Sequence, residues 1–134
     1  MEKKDFHVGL VGWGLYLPEN YITAEELSPQ INIPANIIKG KMGFCKKPLG
    51  GPEDHCVAMG IKAAKQCLQK TGVDPQDIDL IIWAGEDFKE YVCWTASIAV
   101  QEAIGAKNAW AFDSALRCAG TPLSLKLAKD LMFA

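Results

Sequence analysis

Two apolar runs, Ile78 to Trp83 with Asp79 its one polar residue, and Ala109 to Phe112, flank a segment of helical periodicity from Thr95 to Ile104. Runs without polar alternation are expected of strands covered on both faces. Gly105 closes the segment between them, because glycine accepts the left-handed backbone that ends helices. Strand, helix, strand in this order requires a crossover, and so a parallel pair. A further helix is expected from about Asp54 to Lys70, stopped by Gly72, with Val57, Gly60, Ile61, Ala64 and Leu68 on one face. The small residues on that face let it lie close to a sheet. The resulting class is α/β, a mostly parallel sheet layered with helices.

The remaining segments are read the same way. Phe6 to Leu15 is expected to be a first strand ended by Pro18. Its Gly9, Gly12 and Gly14 serve close strand packing, since a dinucleotide loop would have to open a helix and Leu15 to Pro18 does not. Thr23 to Leu27 is a short capped helix, after which Pro29 and Pro34 break the chain. Ile37 to Lys47, with Lys39, Lys41, Lys46 and Lys47, is either a solvated loop or a phosphate-binding rim. Asp74 to Asp77 is a turn with a helix-start signature. Leu49 to Pro52 is another turn. At 134 residues with 49% apolar content, the whole fits one domain with a core of its own.

The chemistry is concentrated after the second apolar run. Asp113 to Arg117 is the strand's exit, Gly120 and Pro122 open a helix, and Cys118 stands at or just before that helix N-terminus. Free backbone N–H groups and the positive end of the helix dipole favour a thiolate over a thiol at such a place. A buried thiol that only packs is the bland alternative for a lone cysteine. Trp13, Trp83, Trp94 and Trp110 read as packing anchors, with Trp94 the one expected to line an acyl-binding or dimer-facing surface.

Other chemistries are disfavoured. A net charge of -2 with mixed signs offers no field for nucleic acid. No stretch approaches the roughly 18 apolar residues of a membrane helix, and the start of the chain reads as a strand rather than an export signal. The five cysteines then belong to a reducing cytoplasm, and their odd number argues against a full disulfide framework. No CxxC pair occurs, and His7 and His55 are the two histidines, so no metal site is expected.

Gly12, Gly14, Tyr16, Leu17 and Pro18, the GVDPQDIDLII entry to the strand at Ile78, the VQEAIGAKNAWAFD run and Arg117-Cys118-Ala119-Gly120-Thr121 occur in an order that resembles the N-terminal half of a ketoacyl-ACP synthase III. The resemblance runs from Val8 to Lys129 and places the chain in the thiolase-like superfamily. It implies a thiolase-like half-domain over residues 1–134, truncated, with the family's histidine and asparagine in an absent C-terminal half. It also implies that Cys118 is the nucleophile that accepts an acyl group from a thioester and passes it to a malonyl-type thioester, giving a 3-oxoacyl product.

The substrates implied are coenzyme A or acyl-carrier-protein thioesters, with no bound cofactor, and the assembly implied is a homodimer. Lys41 falls where the family carries an arginine that clamps the adenine end of coenzyme A, and Ile37 where it carries a tryptophan. Glu86 falls where the related hydroxymethylglutaryl-CoA synthases carry a glutamate acting as general acid and base, so a condensing enzyme of that kind is the alternative. A surface or capping role is expected of His7 and His55, and the 134 residues are expected to hold the nucleophile without turning over. A non-catalytic thiolase-like interaction module and a thiol redox sensor built on Cys118 are the readings from other classes.

Overall fold

The computed structural model describes residues 7–85, 91 and 93–133. They fall in two units: residues 17–55, and a larger unit made of the chain up to Tyr16 and from Cys56 onward.

In the smaller unit, Thr23 starts a helix for a local reason. Its hydroxyl accepts from the Glu26 N–H at 3.2 Å, and the Glu26 carboxylate accepts from the Thr23 N–H at 2.8 Å, a reciprocal cap. Helix α1 (Ala24–Ile31) runs through Pro29, contrary to the expected break. The proline forfeits the one bond its N–H would make to the Glu25 carbonyl, and the helix ends two residues beyond it. Asn32, left-handed at φ 53°, closes the helix. A single helical turn, α2 (Ala35–Ile37), and a π turn over Ile38–Met42 replace the loop expected over this part of Ile37 to Lys47. Ile38 accounts for the difference, because its fully buried side chain draws the turn inward.

Strands β1 (Asn20–Thr23) and β2 (Lys46–Leu49) pair antiparallel, from Asn20 opposite Leu49 to Thr23 opposite Lys46. Sequence patterning does not reveal them, being short and largely polar. Two of the four lysines have local partners: Lys39 pairs with Glu25, and the Lys46 ammonium lies 4.6 Å above the Tyr21 ring. The hydrogen bond from Lys39 holds the Glu25 carboxyl below its usual range and raises the Lys39 ammonium in return.

The larger unit is built on helix α3 (Cys56–Thr71), which begins two residues later than its sequence suggests. Gly72 closes it at φ +70°, donating its N–H to the Leu68 carbonyl at 2.9 Å. Val57, Ile61 and Ala64 of α3 pack with Ala96 and Val100 of α4 (Ala96–Ile104) and with Ile81 and Trp83 of β3 (Leu80–Ala84). Strand β3 pairs in parallel with β4 (Trp110–Ser114), from Leu80 opposite Trp110 to Ala84 opposite Ser114, and α4 is the crossover between them. Gly105, at φ +78°, ends α4 as expected. The Asp74 carboxylate accepts from the Gln76 N–H at 2.9 Å and sets the turn before β3.

Helix α5 (Gly120–Met132) covers the other face of β3. The strand alternates accordingly: Ile81 and Trp83 meet α3 and α4, while Leu80, Ile82 and Ala84 face α5. Both faces are used, yet β3 is half-buried rather than enclosed. Among the described residues its one ladder neighbour is β4, and a groove remains beneath α5.

The first strand expected from Phe6 to Leu15 does not form over its described part, residues 7–15. That segment makes no ladder and lies along α3 instead, with the Leu15 N–H donating to the Gln66 side-chain oxygen at 2.9 Å. Gly12 and Gly14 do serve close approach, but to a helix. A β-carbon at Gly14 would fall 1.9 Å from the Ala63 carbonyl oxygen.

Candidate active site

Strand β4 delivers the chain to Cys118. Beyond Ser114 the backbone turns through Leu116 and then Arg117, which takes a left-handed conformation at φ 38°. A single 3-10 turn over Arg117–Ala119 follows, closed by the Ala119 N–H on the Leu116 carbonyl at 3.0 Å. Cys118 is its middle residue, and α5 starts two residues later at Gly120, as the sequence suggested. The thiol is exposed, and the five cysteines are not joined in disulfides. The N-cap residue of α5, Ala119, makes no side-chain capping bond, and the positive end of the helix dipole lies beside the cysteine.

Gly120 seats α5 on the sheet. A β-carbon there would lie 3.9 Å from both the Ala84 β-carbon and the Ser114 carbonyl oxygen, at the last rung of the β3–β4 ladder. Cys118 therefore stands at the carboxyl end of a parallel pair, the end at which open α/β sheets hold their ligands.

Glu86 follows the last residue of β3 by two positions and lies outside the described residues. Trp94 packs against the Val57, Ala96 and Val100 cluster and meets Tyr91 edge-to-face, with ring centroids 5.2 Å apart. Its described contacts are those of a core anchor. Lys41 is exposed on the π turn of the smaller unit, as is Ile37 just before it. His7 and His55 are exposed.

One contributor escaped the sequence reading. The Asp113 carboxylate, on β4, accepts from the N–H groups of Ala96 at 3.0 Å and Ser97 at 2.9 Å, capping α4 from outside the helix. Thr95, the residue positioned to cap α4, makes no side-chain capping bond. The available signal was negative: Ile98 stands where a capping box would need Glu or Gln, so the acceptor had to come from elsewhere.

A groove of about 610 Å³ opens between α5 and the sheet, lined by Ile78, Leu80, Ile82, Trp110, Leu125 and Met132 among others. Cys118 does not line it. The Ser124 hydroxyl is buried at its edge with no hydrogen-bond partner among the described residues. Among the described residues, no three His, Cys, Asp or Glu side chains gather as a metal site would require, and no helix is long and apolar enough to cross a membrane.

No protein-family model matches the chain. Curated relatives do. A beta-ketoacyl-[acyl-carrier-protein] synthase III of Clostridium perfringens is 33% identical over 123 residues, covering 92% of this chain and 37% of the relative. One from Roseiflexus castenholzii is 28% identical over 127 residues, with the same coverage. This chain thus spans well under half the length of these relatives. Among solved structures, a priming beta-ketosynthase from a polyketide biosynthetic pathway aligns with a TM-score of 0.81 at 27% identity, covering 95% of this chain and 40% of that one. The 3-oxoacyl-[acyl-carrier-protein] synthase III of Aquifex aeolicus aligns with a TM-score of 0.75 at 27% identity, covering 91% and 39%. The fold is thiolase-like.

Proposed function

From its homology, along 92% of its length, to beta-ketoacyl-[acyl-carrier-protein] synthases III, we propose that this chain is the nucleophile-bearing part of a condensing acyltransferase of that type. The observation that supports it most is the placement of Cys118, exposed on a single turn between the end of β4 and the N-terminus of α5.

In the first step the Cys118 sulfur attacks the carbonyl carbon of an acyl thioester. The bond from that carbon to the carrier sulfur breaks, and the carrier leaves as a thiol with the proton the cysteine gave up. In the second step a malonyl-type thioester loses its carboxyl group as CO2, and the electron pair left on its α-carbon attacks the acyl-enzyme carbonyl. A carbon–carbon bond forms, Cys118 departs as thiolate, and a 3-oxoacyl thioester results. The N–H groups and dipole of α5 support negative charge on sulfur in both steps.

The proposal takes coenzyme A or acyl-carrier-protein thioesters as substrates, with no bound cofactor, in a cytoplasmic homodimer. Lys41 is assigned to the phosphate-rich end of the donor and Trp94 to support of the acyl site from the core. The histidine and asparagine that complete such a site in the family are assigned to residues outside these 134. A second reading, of the hydroxymethylglutaryl-CoA synthase kind, gives Glu86 the role of acid and base.

The test is intact-mass spectrometry after incubation with acetyl-CoA and longer acyl-CoAs, with Cys118→Ala alongside. An acyl adduct lost in the variant is the expected result. A chain that alkylates at Cys118 with iodoacetamide, yet takes no acyl group either alone or within a full-length synthase, would end the acyltransferase reading.

A further inference from the structure

We propose that Asp113 is a positioning residue for Cys118, holding the end of β4 against α4 so that the turn carrying the thiol keeps one geometry. The inference rests on Cys118 as the acyl acceptor and adds a residue to that site. Capping of a helix is normally local, by its own N-cap side chain. For α4 it comes 16 and 17 residues downstream, from the strand that leads to the nucleophile.

The two bonds are shared between the two carboxylate oxygens, Oδ2 taking Ala96 and Oδ1 taking Ser97. Both donors belong to fully buried residues, and Ala96 is part of the core with Val57 and Val100. Charge-assisted bonds to rigid, buried donors fix their acceptor tightly. Asp113 is also opposite Trp83 in the ladder, one rung before its end.

Four residues lie between Asp113 and Cys118, and Arg117 among them holds a left-handed backbone that an arginine does not choose unaided. Such a conformation persists only where the structure on both sides over-determines it. The downstream side is set by the Ala119 N–H on Leu116 and the Gly120 N–H on Arg117. The upstream side is set by the Asp113 clamp.

The experiment compares wild type with Asp113→Asn, which keeps the shape and one acceptor oxygen, and with Asp113→Glu as a second variant should the first not fold. Thr95→Val is the control, because the Thr95 side chain makes no capping bond. Two quantities are read below the melting temperature: amide hydrogen exchange, and the ratio of Cys118 acylation by acetyl-CoA to its alkylation by iodoacetamide. The expected result is faster exchange at Ala119 and Gly120 as well as at Ala96 and Ser97, with the ratio falling on the order of tenfold or more, since small misplacements carry large rate penalties. Faster exchange confined to the first turn of α4 would overturn the proposal, as would an unchanged ratio. If wild type takes no acyl group either alone or within a full-length synthase, the nucleophile reading fails separately, and exchange at Ala119 and Gly120 still decides the role of Asp113.

Discussion

Gly60 of α3 lies directly against the indole of Trp83, so close that a β-carbon at position 60 would come 2.5 Å from Cζ3 and 3.0 Å from Cη2. Two effects of Gly60→Ala oppose each other. Alanine stabilises a helix interior by up to ~1 kcal/mol over glycine, while forcing a methyl into filled space costs about 1–3 kcal/mol. At 2.5 Å the steric term wins, and urea denaturation should show a net loss. In a Trp83→Leu background, which removes the ring, the same substitution should become neutral or stabilising. A loss of equal size in both backgrounds would show that the contact is not the cause.

Gly14 gives a harsher case, because the atom in the way is backbone. A β-carbon there meets the Ala63 carbonyl oxygen at 1.9 Å, and no rotamer change relieves it. Gly14→Ala should release the segment from α3. Trp13, whose ring lies 4.7 Å beneath the Lys70 ammonium, should report this as a shift in fluorescence, with earlier proteolysis near residue 14. Gly9→Ala, with nothing within 4 Å, should leave both signals unchanged.

These contrasts mark what patterning can convey. The parallel β3–β4 pair, the α4 crossover with its Gly105 stop and the cysteine before α5 were legible, since each depends on local periodicity or a local backbone demand. The segment 7–15 reads as a strand because Leu10, Val11 and Trp13 resemble one, but a strand also needs a ladder neighbour, which local sequence does not specify. The β1–β2 pair was hidden for the converse reason. Its pairing is long-range and its residues, Lys46 and Lys47 among them, are polar. Asp113 was overlooked because its partners are 16 and 17 residues away, beyond any capping motif.

The cap on α1 sets a pH dependence for the smaller unit. The Glu26 carboxyl is held below its usual value of 4.5, first by the Thr23 backbone N–H and then by the Thr23 hydroxyl. A carboxyl depressed in the folded state contributes stability above its unfolded value, and loses it as pH falls through the folded one. The Thr23 amide resonance should therefore titrate below pH 4.5, with loosening of α1 on the acid side. Glu26→Gln can still accept from Thr23, so it should keep the cap and abolish the titration. A titration that persists in Glu26→Gln would assign it to another group.

Arg117 links backbone geometry to the thiol. An L-residue in the left-handed region is disfavoured by roughly 1–2 kcal/mol, and a β-branched one by more; glycine escapes the penalty. Arg117→Gly and Arg117→Val both delete the guanidinium and everything it touches, so their difference isolates the backbone at φ 38°. Glycine should preserve the turn, and with it the acylation rate of Cys118 relative to its alkylation. Valine should relax toward negative φ, swing Cys118 away from the N-terminus of α5, and lower that ratio on the order of tenfold, as misplacement of a reacting atom does. Equal ratios in the two variants would mean that the turn adapts without moving the sulfur, and that the left-handed residue beside the nucleophile plays no part in presenting it.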